Sequence, residues 1–248
     1  MTEPGQLPQR IDELEAELAI RERQAADKEL QLERYAADLR ETFKQERARS
    51  QQLRESYMLT VRALASAVEA RDAYTGRHAE RVAAYGLQIA RACGMPVADD
   101  PQIEFGFLLH DVGKVAVPDA ILFKAGPLTA IERAVIEQHP ITGSEIVRDI
   151  PFLGAARDVI RSHHERWDGA GYPDGLARHA IPLSARIFAV ADSLDALTTR
   201  RPYRGPSSFV EARAMIESEA AAHFDPDVIA AFSDVADELI EDIRRSIG

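Results

Sequence analysis

An all-helical fold is what this sequence predicts, on three observations. Apolar residues recur at intervals of three, four and seven along most of the chain, no run alternates apolar with polar residues as a strand would, and several segments open on helix-start signatures. The 248 residues, 46% of them hydrophobic, suffice for a sizeable core in one large domain or two smaller ones.

The first element runs from about Gln9 to Tyr57 with no glycine or proline. Ile11, Leu14, Leu18, Ala25, Leu32, Tyr35, Leu39 and Leu53 share one narrow seam, while Glu13, Glu15, Glu22, Arg23, Glu29 and Arg34 cover the remainder. That is the heptad pattern of a coiled coil. Arg21, Lys28 and Glu46 fall on the seam and fit a solitary charged helix as well. Residues 1–56 are expected to form a coiled-coil stalk or signalling helix pairing two chains into a homodimer, and residues 57–248 a globular domain. That domain starts where the apolar stripe broadens between Tyr57 and Val68.

Asp72 to Gly76 reads as a turn, and Arg77 to Cys93 as a helix with Val82, Tyr85, Ile89 and Ala92 on one face and Gly94 as its stop. Ile103 to His110 is an apolar helix that yields to the loop Asp111 to Pro118. Thr129 with Glu132, and Ser208 with Glu211, have the spacing of capping boxes, and the first of these helices is expected to end at His139-Pro140. Ile187, Val190, Ala191, Leu194 and Leu197 form the buried stripe of the helix that carries Asp192 and Asp195. Asp225-Pro226 is the start expected for the last helix, with Arg244 and Arg245 near its end.

One stretch resists a purely structural explanation. His163-His164-Glu165 runs directly into a segment with three glycines, Pro173, Tyr172 and the chain's single tryptophan, a composition that breaks a helix and opens a loop. Metal-type ligands recur at His110-Asp111, His139-Pro140 and Ala191-Asp192. With Gly171-Tyr172-Pro173, these residues resemble the HD-GYP family, the HD-type metal phosphohydrolases that degrade the bacterial second messenger cyclic di-GMP, from about Leu64 to Phe232.

The resemblance implies an HD-type helical bundle behind the long amino-terminal helix. It implies one metal held by His78, His110, Asp111 and Asp192, and another by Asp111, His139, His163 and His164, with Asp111 as the bridge. Seven ligands exceed what a mononuclear site needs. Imidazole and carboxylate without thiolate suit iron, manganese, zinc or nickel, and the family leans to iron or manganese. A glutamate that serves a third metal in some members is replaced here by Tyr74, so two divalent ions are expected. Lys114 would stand by a bridging hydroxide and stabilise charge on the attacked phosphate. Arg201 and Arg204 would grip the non-scissile phosphate, while Gly171 and Tyr172 border the substrate on a loop that also docks signalling proteins. His179 and His223 are expected to stay outside the site.

The activity so implied is hydrolysis of cyclic di-GMP to linear pGpG, and onward to GMP. Another cyclic dinucleotide or nucleotide as substrate, or an adaptor that binds metal and docks partners, is also open on the residues alone. A net charge of -11 argues against a nucleic-acid polymer as partner. The lone Cys93 can form no disulfide within the chain, and no apolar run approaches a membrane span, so a cytoplasmic protein is expected.

Overall fold

The heptad segment is one helix, α1, Gln6–Glu69, in the computed structural model, which describes residues 6–71, 77–97, 101–200 and 205–247. The chain forms two compact units, Met1–Tyr57 and Met58–Gly248. In the first, Ile11, Leu14, Leu18, Leu32, Tyr35, Leu39 and Leu53 are all exposed. Surface pairs such as Arg21 with Glu17 at 2.7 Å support the helix only marginally. Among the described residues its apolar seam is left exposed.

The second unit contains the end of α1 followed by α2 (His78–Ala92), α3 (Gln102–Leu108), α4 (Asp119–Leu122), α5 (Ala130–Ile136), α6 (His139–Ile146), α7 (Ala156–Ser162), α8 (Leu183–Thr198), α9 (Phe209–Ser218), α10 (Pro226–Ser233) and α11 (Asp237–Ile247). Among the described residues there is no strand, only an isolated bridge between Ala220 and Phe224. The described fold is thus all-helical. None of its described helices is long and apolar enough to cross a membrane.

α2 and α8 are the most extensively packed pair, and their apolar stripes explain why. Val82, Tyr85 and Ile89 of α2 and Ile187, Phe188, Val190, Ala191 and Leu194 of α8 are essentially inaccessible. Each large aliphatic among them contributes about 1.5–3 kcal/mol by burial. α3 adds Phe107, whose ring lies 5.7 Å from that of Phe188. Asp192, on this most tightly held helix, is therefore fixed relative to His78 on its partner.

Both capping boxes form: Thr129 and Glu132 at the start of α5, Ser208 and Glu211 at the start of α9. Two boundaries differ from the sequence expectation. Pro140 does not end a helix at His139 but sits in the first turn of α6, where a missing N–H costs nothing because that turn has no carbonyl to receive it. The last helix is really two. Asp225 caps α10, which stops at Ser233, and Arg213 of α9 donates to the carbonyls of Phe232 and Val235 at 2.7 Å each, satisfying the backbone at the break before α11.

The final residues of α1 and the two after it touch the elements that carry ligands. Glu69 accepts the backbone N–H of Ala79 at 2.5 Å in the first turn of α2. Arg71 donates to the carbonyl of Val115 at 2.9 Å and pairs with Asp119 at 2.6 Å, gripping the short 3-10 turn Val112–Ala116 and the start of α4.

Candidate metal centre

Four histidines reach the centre of the second unit, three of them in one manner. His110, His139 and His163 follow the last turns of α3, α5 and α7, and their Nδ1 atoms lie 2.9, 2.8 and 2.9 Å from the carbonyls of Phe107, Ile136 and Ile160, each three residues back. Carbonyls in a last turn lack an intrahelical partner, so they are free to accept. His78 opens α2 and places Nδ1 2.8 Å from the carboxylate of Asp195. An acceptor at Nδ1 assigns the proton there and leaves Nε2 with its lone pair.

Those Nε2 atoms converge on Asp111. His110 lies 3.1 Å from its Oδ2, and His139 and His163 lie 3.2 and 3.9 Å from its Oδ1. One atom from each of Asp111, His139, His163 and His164 falls within 4.8 Å of the others. His139 and His163 bring their Nε2 atoms to 3.1 Å, two lone pairs face to face, an arrangement a cation between them would relieve. On the other side, His78 Nε2 is 3.4 Å from Asp192. The donor set of imidazoles and carboxylates fits hard or borderline divalent ions, and a cavity of about 300 Å³ lies over it.

The electrostatics keep Asp111, His163 and His164 in binding form. Burial, with the neighbouring His164, His110 and His139, holds the His163 imidazole well below its ordinary range, and burial holds His164 near 3. Burial would raise the Asp111 carboxyl, but His110 and Lys114 outweigh it and hold the group well below the usual carboxylate range. Lys114 Nζ stands 2.8 Å from Asp111. Its turn passes so close to α6 that a side-chain carbon at Gly113 would collide with the backbone of His139, so glycine is required two residues after Asp111.

The loop after His164 is tied to the site. Glu165 is 3% exposed and accepts the backbone N–H groups of Asp174 at 2.7 Å and Leu176 at 3.0 Å. Arg161 clasps Asp174 through two bonds of 2.7 and 2.8 Å. The chain thereby folds back, Tyr172 stacks on His164 with ring centres 4.6 Å apart, and Gly171 lies so near Arg166 and Glu165 that no larger residue fits.

Of the residues singled out from the sequence, His78, His110, Asp111, Lys114, His139, His163, His164, Asp192, Gly171 and Tyr172 are brought together here. Arg201, Arg204 and Tyr74, like the turn expected from Asp72 to Gly76, lie outside the described residues. His179 packs edge-on against Trp167, away from the ligands. His223 departs from expectation, for it lines a second cavity of about 350 Å³ with His164, Tyr172 and Asp192. Its position follows from Trp167, whose backbone N–H donates to the His223 carbonyl at 3.0 Å and draws the two loops together. Asp195, Arg81 and Glu165 were not legible as site residues. Asp195 lies one turn beyond Asp192, and that spacing was the available signal.

A family model described as the HD domain matches residues 62–228. A cyclic di-GMP phosphodiesterase of Thermotoga maritima is 42% identical over 179 residues, 71% of this chain and 49% of that protein. A 3'3'-cGAMP-specific phosphodiesterase of Vibrio cholerae is 40% identical over 197 residues, covering 79% of this chain and 38% of the relative. The chain thus spans half or less of these relatives' length. A solved cyclic GMP-AMP-specific phosphodiesterase of V. cholerae superposes with a TM-score of 0.56 over 75% of this chain and 52% of its own at 18% identity, a likeness of fold.

Proposed function

Because the chain belongs to the HD domain family and carries the HD-GYP pattern within it, we propose that it is a metal-dependent phosphodiesterase hydrolysing cyclic di-GMP to pGpG and onward to GMP. The observation that carries this proposal is the common orientation of four imidazoles, each with Nδ1 satisfied and Nε2 directed at the Asp111–Asp192 cavity. His78, His110, Asp111 and Asp192 would hold one ion, and Asp111, His139, His163 and His164 the other, with iron or manganese as the pair. Two divalent cations at these positions supply an acidified water as nucleophile and Lewis acidity for the attacked phosphate.

The chain's own groups do the remainder. Lys114 presents its ammonium beside Asp111 toward the cavity, where it stabilises charge developing on phosphate. Arg201 and Arg204 grip the non-scissile phosphate, for which guanidinium forks are suited. Tyr172 and Gly171 border the substrate. The Gly171-Tyr172-Pro173 loop is also the surface offered to signalling proteins. The exposed seam of α1 pairs with a second copy, and the lone Cys93 suits the cytoplasm.

An anaerobic assay tests the proposal: stripped protein reloaded with iron or manganese should convert cyclic di-GMP to pGpG, with two metals per chain. Absence of turnover with both metals present would sink it. A second substrate is favoured by the relative named for 3'3'-cGAMP, and parallel assays on cyclic di-GMP, 3'3'-cGAMP and cyclic di-AMP decide between them.

A further inference from the structure

His78 is held unlike the other three imidazoles, and its place in the fold explains why. His110, His139 and His163 follow the ends of α3, α5 and α7, where backbone carbonyls are free, although His139 also opens α6. His78 stands at a helix start, where the free backbone groups are N–H donors and no carbonyl is on offer. Its acceptor is a side chain from another helix, Asp195 of α8, at 2.8 Å.

Asp195 is built to accept. It is 2% exposed, and Arg81 meets it with two donors, Nε to Oδ1 at 2.6 Å and Nη2 to Oδ2 at 3.0 Å. Arg81 follows His78 by three residues on α2, and Asp195 follows Asp192 by three on α8, so two one-turn pairs face each other. Within this square His78 points Nδ1 at Asp195 and Nε2 at Asp192.

We propose that Asp195 is a positioning residue for the metal centre: through His78 it fixes the ring's tautomer and orientation and strengthens Nε2 as a ligand, with Arg81 as the countercharge. Asp195 acts through the imidazole of His78, not as a ligand. Carboxylates behind metal-bound imidazoles act in this way, and their loss lowers metal affinity roughly ten- to a hundredfold. The inference rests on His78 being a ligand. A plain interhelix ion pair between Arg81 and Asp195 is the competing explanation, and it would act on both metals alike.

The test is titration of Mn²⁺ alone into the chelator-stripped full chain, followed by calorimetry, with thermal melting as the check on folding. In Asp195→Asn, one class of Mn²⁺ site should weaken by roughly ten- to a hundredfold while the other holds within about twofold. Combined with His78→Ala, the same substitution should have no further effect, because its route to the metal has gone. If Asp195→Asn strands the Arg81 guanidinium and fails to fold, Asp195→Asn with Arg81→Met removes that charge and should give the same one-site loss. Unchanged affinity, equal weakening of both sites, or a loss that persists in the His78→Ala background would overturn the inference. Failure of the underlying reading shows separately, before Asp195 is altered: wild type would bind no Mn²⁺, or His78→Ala would bind it like wild type. Either result overturns both.

Discussion

Asp111 and Lys114 are three residues apart and 2.8 Å from one another, yet they should fail in different ways when removed. Asp111 stands between the two imidazole groups, so Asp111→Ala should abolish turnover and remove at least one metal equivalent, measured by elemental analysis. Two retained metals would refute its bridging role. Lys114→Ala should keep both metals and lower kcat by about a hundredfold, the scale of losing one donor to developing charge. Metal loss in that variant would assign Lys114 a structural part instead. Arg201→Ala and Arg204→Ala should leave metal content alone and weaken cyclic di-GMP binding by about ten- to over a hundredfold each, since a charge-assisted bond to phosphate contributes roughly 1.5–3 kcal/mol. Wild-type affinity in the double variant would remove the phosphate-grip assignment.

Helices were legible to the degree that their signals are local. The capping boxes at Thr129 and Ser208 and the cap at Asp225 depend on residues three or fewer apart, and all three form. Pro140 misled because a proline reads equally as a stop or as a first-turn residue, and here it is the latter. The ligands were legible through a joint pattern of rare residue types. Asp195 and Glu165 were not, because a carboxylate's role behind a ligand depends on which helix end it faces. At the scale of α1, seven large seam residues lie exposed, the face on which the proposed pairing rests. Deleting residues before Gln52 should therefore leave a folded but monomeric domain by sedimentation. A dimer of unchanged affinity would assign pairing to the globular surface.

For the whole domain, the buried imidazoles set opposing pH limits in the metal-free state. His163 and His164 are held below their usual 6.5, so the unfolded chain binds protons there that the fold does not, and stability falls as pH drops below 6.5. His78 is opposite: burial would lower it, but the hydrogen bond to Asp195 and the charges of Asp192, Asp195 and Asp111 lift it to about 9. Its contribution is complete below 6.5 and is lost as pH rises from 6.5 to 9. Melts of chelated protein should peak near pH 6.5, and His78→Gln should flatten only the alkaline side. A monotonic profile would contradict the assignment. Glu69 and Arg71 bear on the same unit mechanically. Two residues apart, they fasten the turn that begins at His78 and the turn that carries Lys114. The end of α1 is therefore joined to both turns, and a displacement of it would act on His78 and Lys114 together.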